Sequence, residues 1–305
     1  MAPKGLWIAW LMPTWWSSWA RTSVSIAERV GLRVVAAPDK FRGTASAAAV
    51  AAAVAQSVVD AGGTAVEGPM ADGGEGTLEA LGGPNRTTRV TGPLGRPVEA
   101  SWRLDGPTAV IEMALTSGLL LAGGSDGNRA LDATTAGTGE LIRLAVEQGA
   151  RRVLVGMGGS ATTDGGLGAL RAMGSPSRYR GVDLLVACDV RTSFVEAAEV
   201  FGPQKGASPA EVKLLRRRLE RLAQVYAEEY GVAVGDLPRA GAAGGLAGGL
   251  AAIGASLVDG VDLVADELLF DELLSSLRKL LPLFQRGLKV KAQTLAFDAE
   301  RTHIV

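Results

Sequence analysis

Residues 151–170 read RRVLVGMGGSATTDGGLGAL, and the organisation of the chain follows from this stretch outward. Val153-Leu154-Val155 is a short, apolar, β-branched run of the kind buried on both faces of a parallel sheet. It stops at Gly156-Met157-Gly158-Gly159, where glycine lets the backbone turn sharply and bring its N–H groups close to a ligand. Ser160, Thr162 and Thr163 add hydroxyls, Asp164 is placed to cap a helix, and Leu167, Leu170 and Met173 repeat at helical spacing. The stretch predicts strand, polar glycine-rich turn and helix. Unpaired N–H groups and the positive end of the helix dipole converge on such a turn, so a phosphate or carboxylate is its expected guest. The same turn can also serve only to seat a helix closely on a sheet.

The whole chain has 305 residues, 47% hydrophobic and 21% charged, which suits two α/β domains of ordinary globular composition. A net charge of -1 without a sustained basic run excludes nucleic acid as the main partner. Arg216-Arg217-Arg218 lies in a helical pattern and reads as a solvated face. Cys188 is the single cysteine, so an internal disulfide and a cysteine zinc cluster are ruled out, and a reducing cytoplasm fits. It reads as a small buried hydrophobe. The single histidine, His303, is close to the C-terminal end, which argues against a Ser-His-Asp triad. Chemistry therefore rests on carboxylates, Lys, Arg, hydroxyls and backbone.

Residues 1–31 hold five of the six tryptophans and read as an atypical extension; their apolar piece Gly5 to Met12 is too short to span a bilayer. Leu32 to Ala37 is the first expected strand, followed by Asp39-Lys40-Phe41-Arg42 and an alanine-rich helix from the N-cap Ser46 to about Ala61. The charges of that loop sit at the carboxyl end of a strand, where open α/β sheets place ligands. A short strand at Thr64 to Val66 leads into Asp72-Gly73-Gly74-Glu75-Gly76, whose glycines expose backbone donors while Asp72 and Glu75 suit Mg²⁺ or a substrate hydroxyl. Strands at 88–91, 98–104 and 108–113 precede a helix opened by Thr134 to Glu140. After the central stretch, Asp183 to Ala187 delivers Cys188-Asp189 to a strand end. Ser208-Pro209-Ala210-Glu211 is a capping box that starts a helix to Tyr230, and Lys205 beside it is placed to add charge to an anion site. Gly241 to Gly249 is a second glycine-rich helix entry, explained about as well by close packing as by a ligand.

Together APDKFRGTASA (37–47), PMADGGEGT (69–77), AVIEMALTSGL (109–119), GTGELI (137–142), GMGGSATTDGG (156–166), ACDV (187–190), VFGPQKGAS (200–208) and GAAGGLAGGL (241–250) resemble the type I glycerate kinases. The resemblance implies a flavodoxin-like α/β domain built from both chain ends, residues 32–67 and 256–305, and a second α/β domain, residues 68–255, inserted between them. It implies ATP-dependent phosphorylation of D-glycerate with Mg²⁺ in the cleft, and no nucleic acid or membrane partner; a homodimer is an open expectation. Asp189 would orient or deprotonate the attacking hydroxyl, with Lys40, Arg42 and Lys205 neutralising carboxylate and phosphate. Asp39, Asp72, Gly73, Gly74, Glu75, Gly158, Gly159 and Ser160 would line the substrate and phosphate site, and Asp72 and Asp164 would hold metal. Phosphoryl transfer asks mainly for positioning and charge neutralisation, so the absence of a usable histidine is no obstacle. There is no G-x-x-x-x-G-K-[ST], so the chain is not a P-loop kinase. Beyond about Leu273 the resemblance ends, which leaves the flavodoxin-like domain divergent or incomplete and keeps a ligand-binding remnant without turnover as an alternative. A lesser alternative is an NAD-dependent oxidoreductase, on the loose match of Gly156-x-Gly158-x-x-Ala161 to the dinucleotide fingerprint.

Overall fold

Runs of four to nine apolar-rich residues, cut by glycine turns, give a six-stranded sheet whose strands lie in chain order. They are β3 (Arg86–Thr91), β4 (Pro97–Asp105), β5 (Thr108–Glu112), β6 (Arg152–Gly156), β7 (Asp183–Cys188) and β8 (Ser256–Asp259). The structure, a computed structural model, describes residues 33–41 and 44–268. β3, β4 and β5 pair antiparallel; β5 through β8 run parallel. A parallel strand needs a crossover, and each of these connections carries helix.

The expectation of strands covered on both faces holds. Ile111, Val153, Val155 and Val186 point into the main core, all at 0% exposure. Val110, Leu154 and Leu185, in register across the sheet, point the other way, against Leu78 and Leu263. The main core is closed by α5 (Ala136–Glu147), α6 (Leu167–Met173), α8 (Pro209–Tyr230) and α9 (Leu246–Ala252). The opposite face carries the short α2 (Thr77–Ala80) and α10 (Gly260–Glu267). α8 begins at the capping box that the sequence predicts, Ser208 and Glu211 each bonding the other's backbone, and stops at Gly231 with φ +72°. It buries Leu215, Leu219 and Tyr226, while Arg217 and Arg218 stay exposed.

A second, two-stranded parallel sheet pairs β1 (Arg33–Ala36) with β2 (Thr64–Glu67) through α1 (Ala47–Asp60), capped by the Ser46 hydroxyl on Ala49 N. The remaining short helices are α3 (Ala114–Ser117), α4 (Gly124–Gly127) and α7 (Ala197–Phe201). One boundary needs correction. Residues from 256 onward were expected to sit with β1 and β2, yet β8 extends the larger sheet, with Leu257 beside Val186 and Val258 beside Ala187. Only a short turn separates α9 from β8, and the open edge of β7 is the apolar partner within its reach. The expected extension at 1–31 and the expected divergent tail beyond about Leu273 lie outside the described residues, as does Arg42.

Candidate active site

The loop 72–76 joins the two sheets. It leaves the small sheet after β2 and lies across the carboxyl ends of β6, β7 and β8. Gly73 O accepts from Met157 N at 2.8 Å, and Asp72 O lies so near Gly260 that a Cβ there would come within 1.9 Å of it. A Cβ on Gly73, itself at φ +86°, would meet the Ala187 Cβ at 2.7 Å. A Cβ on Gly158 would lie 2.5 Å from Gly74 Cα. Glycine is required at both of these contacts, because the two motif loops meet backbone to backbone. The second glycine of the loose dinucleotide pattern therefore faces Gly74, where the oxidoreductase alternative needs a pyrophosphate.

Two side chains give this junction its charge. Lys40, delivered by the loop after β1, donates from Nζ to Asp72 Oδ1 at 2.8 Å and lies 3.8 Å from Asp39 Oδ1. Gly74 N donates to the same Asp72 oxygen at 2.9 Å. Burial works to raise the Asp72 pKa, but the hydrogen bond and charge of Lys40, with the Gly74 N–H, outweigh it and hold the carboxyl below its ordinary range. Glu75 is exposed beside this pair.

Glu112, which sequence reasoning did not single out as a site residue, ends β5 at 5% exposure and accepts from Leu78 N at 2.7 Å. Burial pushes its pKa up; the Leu78 and Gly76 N–H groups act against this, and Glu75 adds to it. An acid closing the apolar run TAVIE was the available signal. Arg239 is the second omission. Its backbone sits at φ +71°, unusual for a non-glycine residue. Its guanidinium donates to Cys188 O at 2.5 Å and to Asp259 Oδ2 at 3.1 Å, which ties together the carboxyl ends of β7 and β8. Asp189, the next residue, is exposed just past β7.

The turn after β6 is braced on every side. Leu119 N donates to Gly159 O at 2.8 Å, Ala161 N to Ser117 O at 3.0 Å, and Gly165 N to Gly244 O at 3.1 Å. Gly158 is partly exposed, Gly159 is exposed at φ +71°, and Ser160 is buried. The glycines of 241–249 prove to be packing residues: a Cβ on Gly244 would lie 1.9 Å from Thr162 O, and one on Gly249 2.6 Å from Gly165 O.

Two sequence expectations change. Asp164, expected to hold metal, has both oxygens engaged by protein donors: Oδ2 by Thr135 N and Oγ1 and by Gly168 N, Oδ1 by Gly166 N. Burial pushes its pKa up while those four donors pull it down, and it acts as a brace between α5 and α6. Lys205, expected to meet substrate, is 2% exposed and donates inward to Thr162 O at 2.6 Å. Burial draws its pKa down to about 7, against the attraction of Asp164. Cys188 behaves as expected, a buried thiol pushed up to about 12 by desolvation.

Among the described residues no three His, Cys, Asp or Glu side chains gather as a metal cage, and no helix is long and apolar enough to cross a membrane. A cavity of about 470 Å³ lined by Leu131, Thr163, Asp164, Leu167, Leu214 and Arg217 includes none of Lys40, Asp72 or Asp189 in its wall.

Comparison with known proteins agrees with this architecture. The model of the glycerate kinase family matches residues 34–177 and 174–281. Glycerate 2-kinase of Escherichia coli K12 is 39% identical over 281 residues, covering 79% of this chain and 74% of its own. Glycerate kinase of Bacillus subtilis 168 is 37% identical over 282 residues, with 79% and 74% covered. A crystal structure from Salmonella typhimurium LT2, assigned as a glycerate kinase 2, superposes with a TM-score of 0.69 at 35% identity, over 77% of this chain and 74% of that one. With the family model matched over residues 34–177 and 174–281 and relatives at 39% and 37% identity, this chain belongs to the glycerate kinase family.

Proposed function

We propose that this chain transfers the γ-phosphoryl group of ATP to a hydroxyl of D-glycerate in the cleft between its two sheets. The observation that carries the proposal is the junction itself: a lysine–aspartate pair held at 2.8 Å beside two glycine loops in backbone contact, at the carboxyl ends of parallel strands. In this proposal Lys40 neutralises phosphoryl or carboxylate charge, with Arg42 as its partner and Asp39 and Asp72 holding the ammonium in place. The backbone of Gly73, Gly74, Gly158 and Gly159, with Ser160 and Glu75, shapes the phosphate and substrate seat. Asp189, on the strand end secured by Arg239, orients the attacking hydroxyl and takes its proton.

Mg²⁺ fits the carboxylates of this site. It prefers one or two carboxylates together with substrate phosphates, and the cleft offers Asp72 for that purpose whereas Asp164 is already saturated. When bound, the ion would screen charge on the transferred phosphoryl group. The division into a domain that residues 32–67 begin and an inserted domain whose sheet includes β8, cytoplasmic location and a homodimer belong to the same proposal; light scattering of purified protein checks the last.

The test is an ADP-release assay with D-glycerate, ATP and Mg²⁺. Turnover is expected, and Asp189→Asn is expected to lower it about 10²- to 10⁴-fold, the usual contribution of a general base. Wild-type protein that binds ATP without releasing ADP would overturn the kinase assignment, and Asp189→Asn with activity intact would remove Asp189 from the role.

A further inference from the structure

Behind the Gly158–Ser160 turn, two side chains take hold of consecutive backbone carbonyls. Asn128 Nδ2 donates to Ala161 O at 2.9 Å and to Lys205 O at 2.8 Å, while Lys205 Nζ donates to Thr162 O at 2.6 Å. The lysine cannot easily point elsewhere. It closes the 3₁₀ turn Pro203–Lys205, its ammonium lies 5.8 Å from the centre of the Phe201 ring, and Gly206, the next residue at φ +85°, passes so close to Ser125 that a Cβ would come within 2.2 Å of its carbonyl oxygen.

We propose that Lys205 and Asn128 form a clamp that sets the geometry of the phosphate-facing turn from behind, which makes both of them positioning residues for phosphoryl transfer. This inference rests on the kinase assignment above. The physical case has two parts. Peptides are planar and trans here, so a carbonyl drawn inward points the next N–H the opposite way. Drawing in Ala161 O and Thr162 O therefore fixes the directions of the Thr162 and Thr163 N–H groups, which continue the glycine turn proposed to meet phosphate. The second part is energetic. Burying an ammonium is costly, and its hydrogen bond to Thr162 O, the Phe201 ring and the attraction of Asp164 offset that cost only in part, so an apolar side chain of similar length should cost the fold little. Lys205 thus holds the turn without being the group that best stabilises the fold.

The experiment compares wild type, Lys205→Met, Asn128→Ala and the double variant by melting, steady-state kinetics and amide hydrogen exchange of residues 158–163. Lys205→Met is expected to melt close to wild type, to lose roughly 10- to 100-fold in kcat with KM for D-glycerate held within about threefold, and to exchange those amides about tenfold faster. Asn128→Ala should repeat the pattern more weakly, and the double variant should lose less than the product of the single losses, because one clamp is broken in all three. Unchanged exchange at 158–163 in both single variants, or a kcat loss that only tracks loss of folded protein, would overturn the clamp. Absent wild-type turnover would defeat the kinase assignment alone, since the exchange measurement reads the clamp without substrate; if Lys205→Met fails to fold, Asn128→Ala carries the same test.

Discussion

The two faces of the turn after β6 each hold a motif lysine, and the two are in opposite situations. In front, Lys40 keeps some exposure, 13% of its side chain, and is matched by Asp72 and Asp39. Behind, Lys205 is sealed at 2% and finds a carbonyl at hydrogen-bond distance, with Asp164 as its attracting charge. A charge beside water and carboxylates is available to an incoming anion; a charge buried against backbone can only shape the chain around it. The same residue type therefore serves electrostatics on one side and geometry on the other.

The sharpest way to break this contrast is Lys40→Met. It should lower kcat/KM by about 10²- to 10³-fold, the usual loss when one preorganised charge-stabilising group is removed, while the melting temperature moves little. Kinetics and a melting curve on the same preparation check it. Asp164→Ala should show the reverse emphasis. Four protein donors lose their acceptor, so stability should fall by about 3 kcal/mol in urea titration.

Glycine substitutions sharpen the comparison further. Gly158→Ala places a Cβ 2.5 Å from Gly74 Cα, so a cost of about 1–3 kcal/mol is expected together with reduced turnover. Gly181→Ala, at φ +78° with nothing within 4 Å, meets only the left-handed backbone cost of roughly 1 kcal/mol and should leave turnover per folded molecule unchanged.

The Lys205 side predicts a pH signature. Its folded pKa of about 7 is below the ordinary 10.5, so between those values the unfolded chain binds more protons. Wild-type stability should then rise with pH across that window by up to about 1.4 kcal/mol per unit; below it the slope from this group vanishes because both states hold the proton and the cost of the buried ammonium is at its full value. Subtracting the same titration of Lys205→Met isolates this group; a flat difference would refute the buried charge. The smallest effect concerns Cys188. Buried at 1% with its thiol pushed up to about 12, it should resist iodoacetamide at pH 8 in the folded protein and react once urea unfolds the chain.

Much of this was legible in the residues themselves. The strand at Val153–Val155, the Ser208 capping box and the helix from it to Tyr230 were readable because hydrophobic period and caps act within a few positions of chain. The charged Asp39–Lys40 and Asp72–Gly76 loops announced themselves as strand-end loops on the same grounds. The misplacements came from long-range contacts. Lys205 is held by Thr162, 43 positions away, and by Asn128, 77 away, contacts that its place beside a helix start could not reveal, so it read as a charge for an anion site. Asp164 looked like a metal ligand because Thr135, 29 positions earlier, could not be seen to fold onto it.

By itself the sequence determined the longer strands and helices, the α/β class and the two glycine loops, since each rests on local pattern or on composition. Tertiary structure alone decided that Gly158 packs on Gly74, that β8 joins the larger sheet, and that one of two motif lysines pairs with Asp72 while the other is buried against Thr162 O. The physical reason is that burial and charge pairing are properties of neighbours in space, and only folding brings those neighbours together.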